Sequence, residues 1–141
     1  MIDTRKTEIR KIIREKKKQF SLSEKKEKSE VIFNQIESLE QFRSANTIMA
    51  YWSMDDEVHT HDLILKFLGK KQIILPVVKG DVLELKEFTG KTNMLVGESY
   101  GIKEPEGEPF YEIDKIDLIL VPGIAFDVNN NRLGRGKAYY D

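Results

Sequence analysis

The sequence predicts an α/β domain, a mixed sheet flanked by helices with some antiparallel pairing. Three observations predict it. Short apolar, β-rich runs at 47–52, 72–78 and 116–121 alternate with segments of helical period. The run 82–88, Val-Leu-Glu-Leu-Lys-Glu-Phe, alternates apolar with polar residues, as a half-exposed strand does. A length of 141 residues suits one domain with a hydrophobic core.

Residues 4–19 form the first expected helix, with Ile9, Ile12, Ile13 and Phe20 near one face and charges elsewhere. Ser21-Leu-Ser-Glu24 is a capping signal, and a second helix should run to about Leu39 with Val31, Ile32 and Ile36 inward. Thr47-Ile-Met-Ala-Tyr-Trp52 reads as a strand buried on both faces. Thr60 is placed to cap a third helix, Asp62 to Leu68, which Gly69 ends. Gln72–Val78 is a further strand, and Pro76 puts its end near an edge or bulge. Lys79-Gly-Asp81 turns into 82–88. Residues 89–115 read mostly as loop, and Ile116–Val121 as a buried strand that stops at Pro122-Gly123.

With no cysteine there is no disulfide, no thiolate metal site and no thiol nucleophile. No apolar run approaches the ~20 residues that span a bilayer, and the N-terminus lacks the apolar core of a signal peptide. A cytoplasmic protein with no membrane partner is expected. The net charge of −1 hides an asymmetry: residues 1–30 carry 11 Lys/Arg against 6 Asp/Glu, net +5, and the remainder 12 against 18, net −6. The basic arm could meet nucleic acid or phosphates in its own site. A sequence pI near 6.2 is well below the value of about 9 typical of a dedicated nucleic-acid binder, so no nucleic-acid partner is expected.

The last twenty residues carry the most chemistry. After an Asn-rich turn, glycines interleave with cations, Arg132-Leu-Gly134-Arg135-Gly136-Lys137, and Tyr139, Tyr140 and Asp141 close the segment. Glycine lets backbone N–H groups approach an anion that the cations neutralise. The segment fits neither standard phosphate loop: Lys137 is followed by Ala138 rather than Ser or Thr, and Gly134-x-Gly136 lacks the third glycine of the dinucleotide fingerprint. From chemistry alone it is either a polyphosphate site or a basic, Gly-rich hairpin on the surface.

As a string, Pro122–Asp141 closely resembles the signature of the 5-formyltetrahydrofolate cyclo-ligases, PG-x-x-F-D-x-x-G-x-R-L-G-x-G-x-G-Y-Y-D. Pro122, Gly123, Phe126, Asp127, Arg132, Leu133, Gly134, Gly136, Tyr139, Tyr140 and Asp141 match. Asn130 and Ala138 stand where the pattern has Gly. Asn tolerates the left-handed backbone better than most residues; a methyl group at Ala138 could weaken binding if that backbone must touch the nucleotide. The resemblance implies one cyclo-ligase domain over 1–141 with the C-terminal part of the family domain missing. It also implies a mostly parallel, three-layer fold like that of sugar-phosphate isomerases and CoA transferases, and a monomer.

The same resemblance implies ATP and Mg²⁺ as cofactors and 5-formyltetrahydrofolate as substrate. Lys6 and Arg10, four apart and so on one helix face, read from spacing alone as a solvated stripe, but the family sets such a pair against the ATP phosphates. ATP would be held by Lys6, Arg10, Arg132, Leu133, Gly134, Arg135, Gly136, Lys137, Ala138, Tyr139 and Tyr140, with Arg135 and Lys137 catalytic. Folate would meet Trp52, Glu57, Tyr100, Arg135, Gly136, Lys137, Ala138 and Tyr139, and Asp141 would bind the metal. Lys16–Lys18 matches no motif and reads as a solvated face, and Thr60 as a helix cap explains His59 and His61 more cheaply than a metal does. The alternative is a nucleotide- or folate-binding module of the same fold that does not turn over.

Overall fold

The computed structural model describes residues 2–96, 103–136 and 139–140. Helices α1 (Ile2–Lys17) and α2 (Leu22–Glu37) fall within about two residues of their expected bounds. The joint between them is the predicted capping box. The Glu24 N–H donates to Ser21 Oγ at 3.1 Å, and the Ser21 N–H donates back to Glu24 Oε1 at 3.4 Å. These bonds satisfy donors that a helix start leaves unpaired. A five-residue helix, α3 (Glu40–Ser44), follows. It is too short to show a periodic pattern in sequence, and the Lys71 ammonium secures its C-terminal end by donating to the carbonyls of Phe42, Arg43 and Ala45 at 2.8, 3.2 and 2.6 Å.

The main sheet has four strands, β1 (Thr47–Met49), β2 (Gln72–Lys79), β3 (Val82–Glu87) and, near the end of the chain, β6 (Leu118–Ile119). Their order is β3-β2-β1-β6, with β1 parallel to both β2 and β6 and with β2–β3 an antiparallel hairpin. The sheet is therefore mixed and mostly parallel. Asp117 sets the register at the start of β1, its carboxylate accepting the N–H groups of Asn46 and Thr47 at 2.8 and 3.0 Å.

Val31 and Ile32 of α2, expected inward, are 58% and 40% exposed, and four further expectations are corrected by the tertiary arrangement. The run 47–52 leaves the sheet after Ala50, whose N–H makes the last ladder bond to Ile74 O at 2.9 Å; Tyr51 and Trp52 belong to the following loop. Pro76 lies inside β2, opposite Leu85, and not at its end. The Phe88 N–H bonds Ile73 O, so by the alternation of the ladder the missing donor of Pro76 points away from β3, past the end of β1, where no bond is required. The run 116–121 pairs only over Leu118–Ile119, and Ile119 is 48% exposed, because β6 is an outer strand among the described residues. The 89–115 stretch contains a hairpin of β4 (Met94–Val96) and β5 (Lys103–Pro105). Strands of three residues carry no readable period. Glu104 of β5 is buried and takes the N–H of Val78 at 2.5 Å, on the side of β2 that β3 leaves open.

The core lies on the face of the sheet that carries Ile48, Ala50, Ile73 and Leu75. Phe33 of α2, Phe42 of α3, Phe88, and Leu63 and Ile64 of α4 (His61–Phe67) pack against it. Met49 and Ile74, on the opposite face, are also buried, so β1 and β2 are covered on both sides, as continuous apolar runs predict. Gly69, at φ +86, follows α4 where the sequence ends it. No helix among the described residues is long and apolar enough to cross a membrane.

Candidate active site

Beyond β6 the chain makes a small hairpin, β7 (Ala125–Phe126) with β8 (Arg132–Leu133), and its turn explains the Asn-rich sequence. The Asp127 carboxylate accepts the N–H groups of Asn129 and Asn131 and the side-chain amide of Asn131, each at 2.9 Å. The Asn131 amide and backbone bonds hold its pKa below the ordinary carboxylate value. Asn130 sits at φ +64, a conformation that Asn tolerates and most side chains resist. At the other end of the hairpin, a Cβ on Gly123 would lie 2.6 Å from the Phe126 ring, so a side chain there would displace that ring.

The hairpin delivers Gly134–Gly136 to the first helix. Arg10 Nε donates to the Gly134 carbonyl at 2.8 Å across 124 residues of sequence. Gly136, at φ +102, lies against the same guanidinium, 3.5 Å from where its Cβ would be. Arg132 donates to Pro122 O at 2.6 Å and lies over the Tyr140 ring at 5.7 Å. The Tyr139 hydroxyl reaches Gly80 O, in the β2–β3 turn, at 3.3 Å. These contacts wall a cleft of about 480 Å³, whose lining includes Lys6, Arg10, Lys17, Glu57, Arg132–Gly136, Tyr139 and Tyr140. That volume is in the usual range for small-molecule sites.

The far wall is the loop after β1, held by a buried hydroxyl knot. Thr60, fully buried, donates from Oγ1 to Tyr51 O at 2.6 Å and accepts the Ser53 N–H at 3.1 Å, while its own N–H donates to Ser53 Oγ at 2.9 Å. Its hydroxyl is thus spent on the loop and makes no cap bond to α4, a correction to its expected role. Ser29 of α2 adds a tie by accepting the His59 N–H at 2.8 Å. The loop so fixed presents Asp56 and Glu57. Asp56 accepts Arg135 Nη2 at 2.6 Å, and Glu57 lies 3.9 Å from the same nitrogen while accepting the Met54 N–H at 2.9 Å.

Burial raises the Glu57 pKa, and the neighbouring Asp56 charge works in the same direction; the Met54 N–H, Arg135 and Lys17 only partly oppose them. Burial also pushes Asp56 up, but the Arg135 hydrogen bond and charge, with Lys17, bring it below its ordinary value. Tyr51 and Tyr140 are driven strongly upward by burial beside Glu57, so both are neutral phenols. Glu57 has a consequence for stability. A carboxyl whose folded pKa is raised keeps its proton in the folded chain after the unfolded chain has lost it, so stability falls as pH rises from the ordinary Glu value through the folded one. Glu57→Gln, which keeps the acceptor for Met54, should therefore raise Tm relative to the parent at pH 7 and not at pH 4. Equal shifts at the two pH values would contradict the burial account.

The sequence-predicted residues Lys6, Arg10, Glu57, Arg132, Leu133, Gly134, Arg135, Gly136, Tyr139 and Tyr140 all line this one cleft. Trp52 does not. It stacks on His61 at 3.8 Å between ring centroids, lies 5.5 Å from Phe88, and packs on the core; a large indole at a strand end gains more by joining the apolar layer than by facing a polar cleft. Tyr100, Lys137, Ala138 and Asp141 lie outside the described residues. Sequence reasoning missed Asp56, for which no local signal exists, and Lys17, which was given to solvent with its neighbours. The signal for Lys17 was its phase, since positions 6, 10 and 17 fall on one helical stripe.

The sequence model of the 5-formyltetrahydrofolate cyclo-ligase family matches residues 2–141. A probable 5-formyltetrahydrofolate cyclo-ligase of Caenorhabditis elegans is 31% identical over 146 residues, covering 96% of this chain and 70% of its own length. One of Schizosaccharomyces pombe is 36% identical over 116 residues, with 78% and 57% covered. Among solved structures, the 5,10-methenyltetrahydrofolate synthetase of Aquifex aeolicus superposes with a TM-score of 0.83 at 36% identity, over 96% of this chain and 70% of that one. The Mycoplasma pneumoniae synthetase does so with a TM-score of 0.69 at 25% identity, over 96% and 74%. The chain thus spans 57% and 70% of the length of the two curated relatives. With the signature, the cleft it builds and the whole described fold in agreement, the chain belongs to the 5-formyltetrahydrofolate cyclo-ligase family.

Proposed function

We propose that this chain binds ATP and 5-formyltetrahydrofolate in the cleft and converts the folate to 5,10-methenyltetrahydrofolate with release of ADP and phosphate. The observation that carries this reading is the Arg10–Gly134 contact. It brings the cations of α1 onto the glycine loop, and five cations, Lys6, Arg10, Lys17, Arg132 and Arg135, line the described cleft against the carboxylate of Glu57 and that of Asp56, which pairs with Arg135. Such a lining suits a polyphosphate that brings its own divalent ion better than a resident metal. Mg²⁺ on a nucleotide takes phosphate oxygens, waters and one or two protein carboxylates; Asp141, directly after the loop, is the proposed ligand, and the ion would supply charge neutralisation.

The chemistry asks the protein for alignment and charge. The formyl oxygen attacks the γ-phosphorus; an O–P bond forms as the bond to the bridging oxygen breaks and ADP leaves. N10 then attacks the activated formyl carbon, the C–O bond breaks, phosphate departs, and the N10 proton passes to water. Ring closure is intramolecular, so holding the two nitrogens in one pocket supplies much of the rate. The remainder is stabilisation of the phosphoryl group in flight by Arg135, Lys137 and the loop amides. Glu57, in the cleft lining, would accept paired N–H groups of the pterin edge, with Tyr139 bounding the folate. No thiol or hydroxyl nucleophile enters, and the chain has no cysteine.

The test is a turnover assay of this chain with 5-formyltetrahydrofolate and Mg-ATP, following methenyl absorbance, together with calorimetry of Mg-ATP and of the folate. Turnover is the expected result. Nucleotide or folate binding without turnover would replace it with the binding-module reading, and no binding of either would sink both. Within this reading Lys137→Ala should lower kcat/KM by about 100-fold or more, whereas Tyr140→Phe, which removes a buried phenol oxygen, should cost less than about tenfold. Equal losses would contradict the phosphate role of Lys137.

A further inference from the structure

We propose that Lys17, at the C-terminal end of α1, is a specificity-determining residue that contacts the terminal phosphate of the nucleotide. The inference rests on the reading above and deepens it. Within Lys16–Lys18, Lys16 and Lys18 are exposed and Lys17 is half-buried in the cleft wall. It shares one stripe of α1 with Lys6 and Arg10, and 11 residues separate the ends of that stripe, about 16 Å along the axis at 1.5 Å per residue. That line is longer than a single anion can span, and the flexible Lys6 and Lys17 side chains can converge from its two ends on a chain of negative groups.

The line has direction. Its middle, Arg10, is bonded to the glycine loop. Its Lys17 end faces Asp56, Arg135 and Glu57, the wall assigned to the folate, and the phosphate to be transferred must be the one facing the folate. Lys17 makes no hydrogen bond or ion pair with another described residue. Burial, Arg135 and Lys25 disfavour its charged form, and Asp56 and Glu57 only partly compensate. An incoming phosphate oxygen relieves that deficit, whereas the exposed lysines beside it have water for the purpose.

The experiment is calorimetry of Mg-ATP and Mg-ADP on the full chain and on Lys17→Gln, Lys17→Arg and Lys16→Gln. Lys17→Gln should weaken Mg-ATP about tenfold and Mg-ADP less than about twofold, the size expected for one charge-assisted contact. Lys16→Gln, in the same helical turn, should change neither, and Lys17→Arg should restore the preference for ATP. Equal losses for the two nucleotides, no loss, or no recovery by arginine would each overturn the assignment of Lys17 alone. Failure of the unaltered chain to bind Mg-ATP would overturn it together with the proposed function.

Discussion

Arg10→Ala should lower kcat/KM with Mg-ATP by at least about 100-fold while moving Tm by only a few degrees. The guanidinium has two tasks in one place. Its Nε holds the Gly134 carbonyl at 2.8 Å, and the rest of the group lies against Gly136, where its remaining donors face the position proposed for phosphate. Truncation removes a charge-assisted contact worth about 1.5–3 kcal/mol and leaves the loop free to drift from the helix. In a site that works by alignment, a shift of about 1 Å costs as much again. Stability should barely change, because α1 is not part of the buried core cluster. Arg10→Lys separates the two tasks: it keeps the charge but not the planar fork, and should recover about half of the lost activation free energy. Were Arg10→Ala to leave kcat/KM within about threefold of the parent, the cleft would not be the nucleotide site.

Thr60→Val should destabilise the fold by about 3 kcal/mol, read as a lower denaturant midpoint and a Tm reduced by about 10 °C. Valine has nearly the same shape, so no cavity is made; the effect is purely polar. The Tyr51 carbonyl loses its hydroxyl donor and the Ser53 N–H its acceptor, both in a buried knot, and an unsatisfied buried group costs about 1–3 kcal/mol. Thr60→Ser keeps the hydroxyl and should cost about 1 kcal/mol for the missing methyl. The loop tied by this knot carries Asp56 and Glu57, so Thr60→Val should also loosen the Asp56–Arg135 pair and raise KM for the folate. A Thr60→Val protein within about 1 kcal/mol of the parent would show that the loop is held by something else.

Much of this could be read from the chain itself, and the failures have causes. The capping box at Ser21 and Glu24 is a local device, complete within four residues, and it forms where the sequence puts it. The strand assignments for β2 and β3 rest on apolar content and alternation and survive with small changes of boundary. α3, β4 and β5 were missed because three to five residues cannot display a period. Pro76 misled because its meaning depends on which neighbour its missing N–H faces, and only the strand order decides that. Trp52 misled for a similar reason: a position beside a strand end is compatible with a pocket or with the core, and its stack on His61 is a long-range outcome.

What the amino-acid order determined unaided was the set of local conformations and the chemical inventory: helix and strand types, the left-handed Asn130, the glycine loop with its cations, and the signature that names the family. Those follow from steric and hydrogen-bond preferences that act over a few residues. What only the folded chain decided was which of those parts meet. Arg10 with Gly134 and Arg135 with Asp56 are juxtapositions across 124 and 79 positions, and with the placing of Lys17 beside Asp56 and Arg135 they are set by how the sheet stacks its strands and where the hairpin lands on α1. Such contacts depend on the burial of the whole core, a sum over many side chains, and no short stretch of sequence contains that sum.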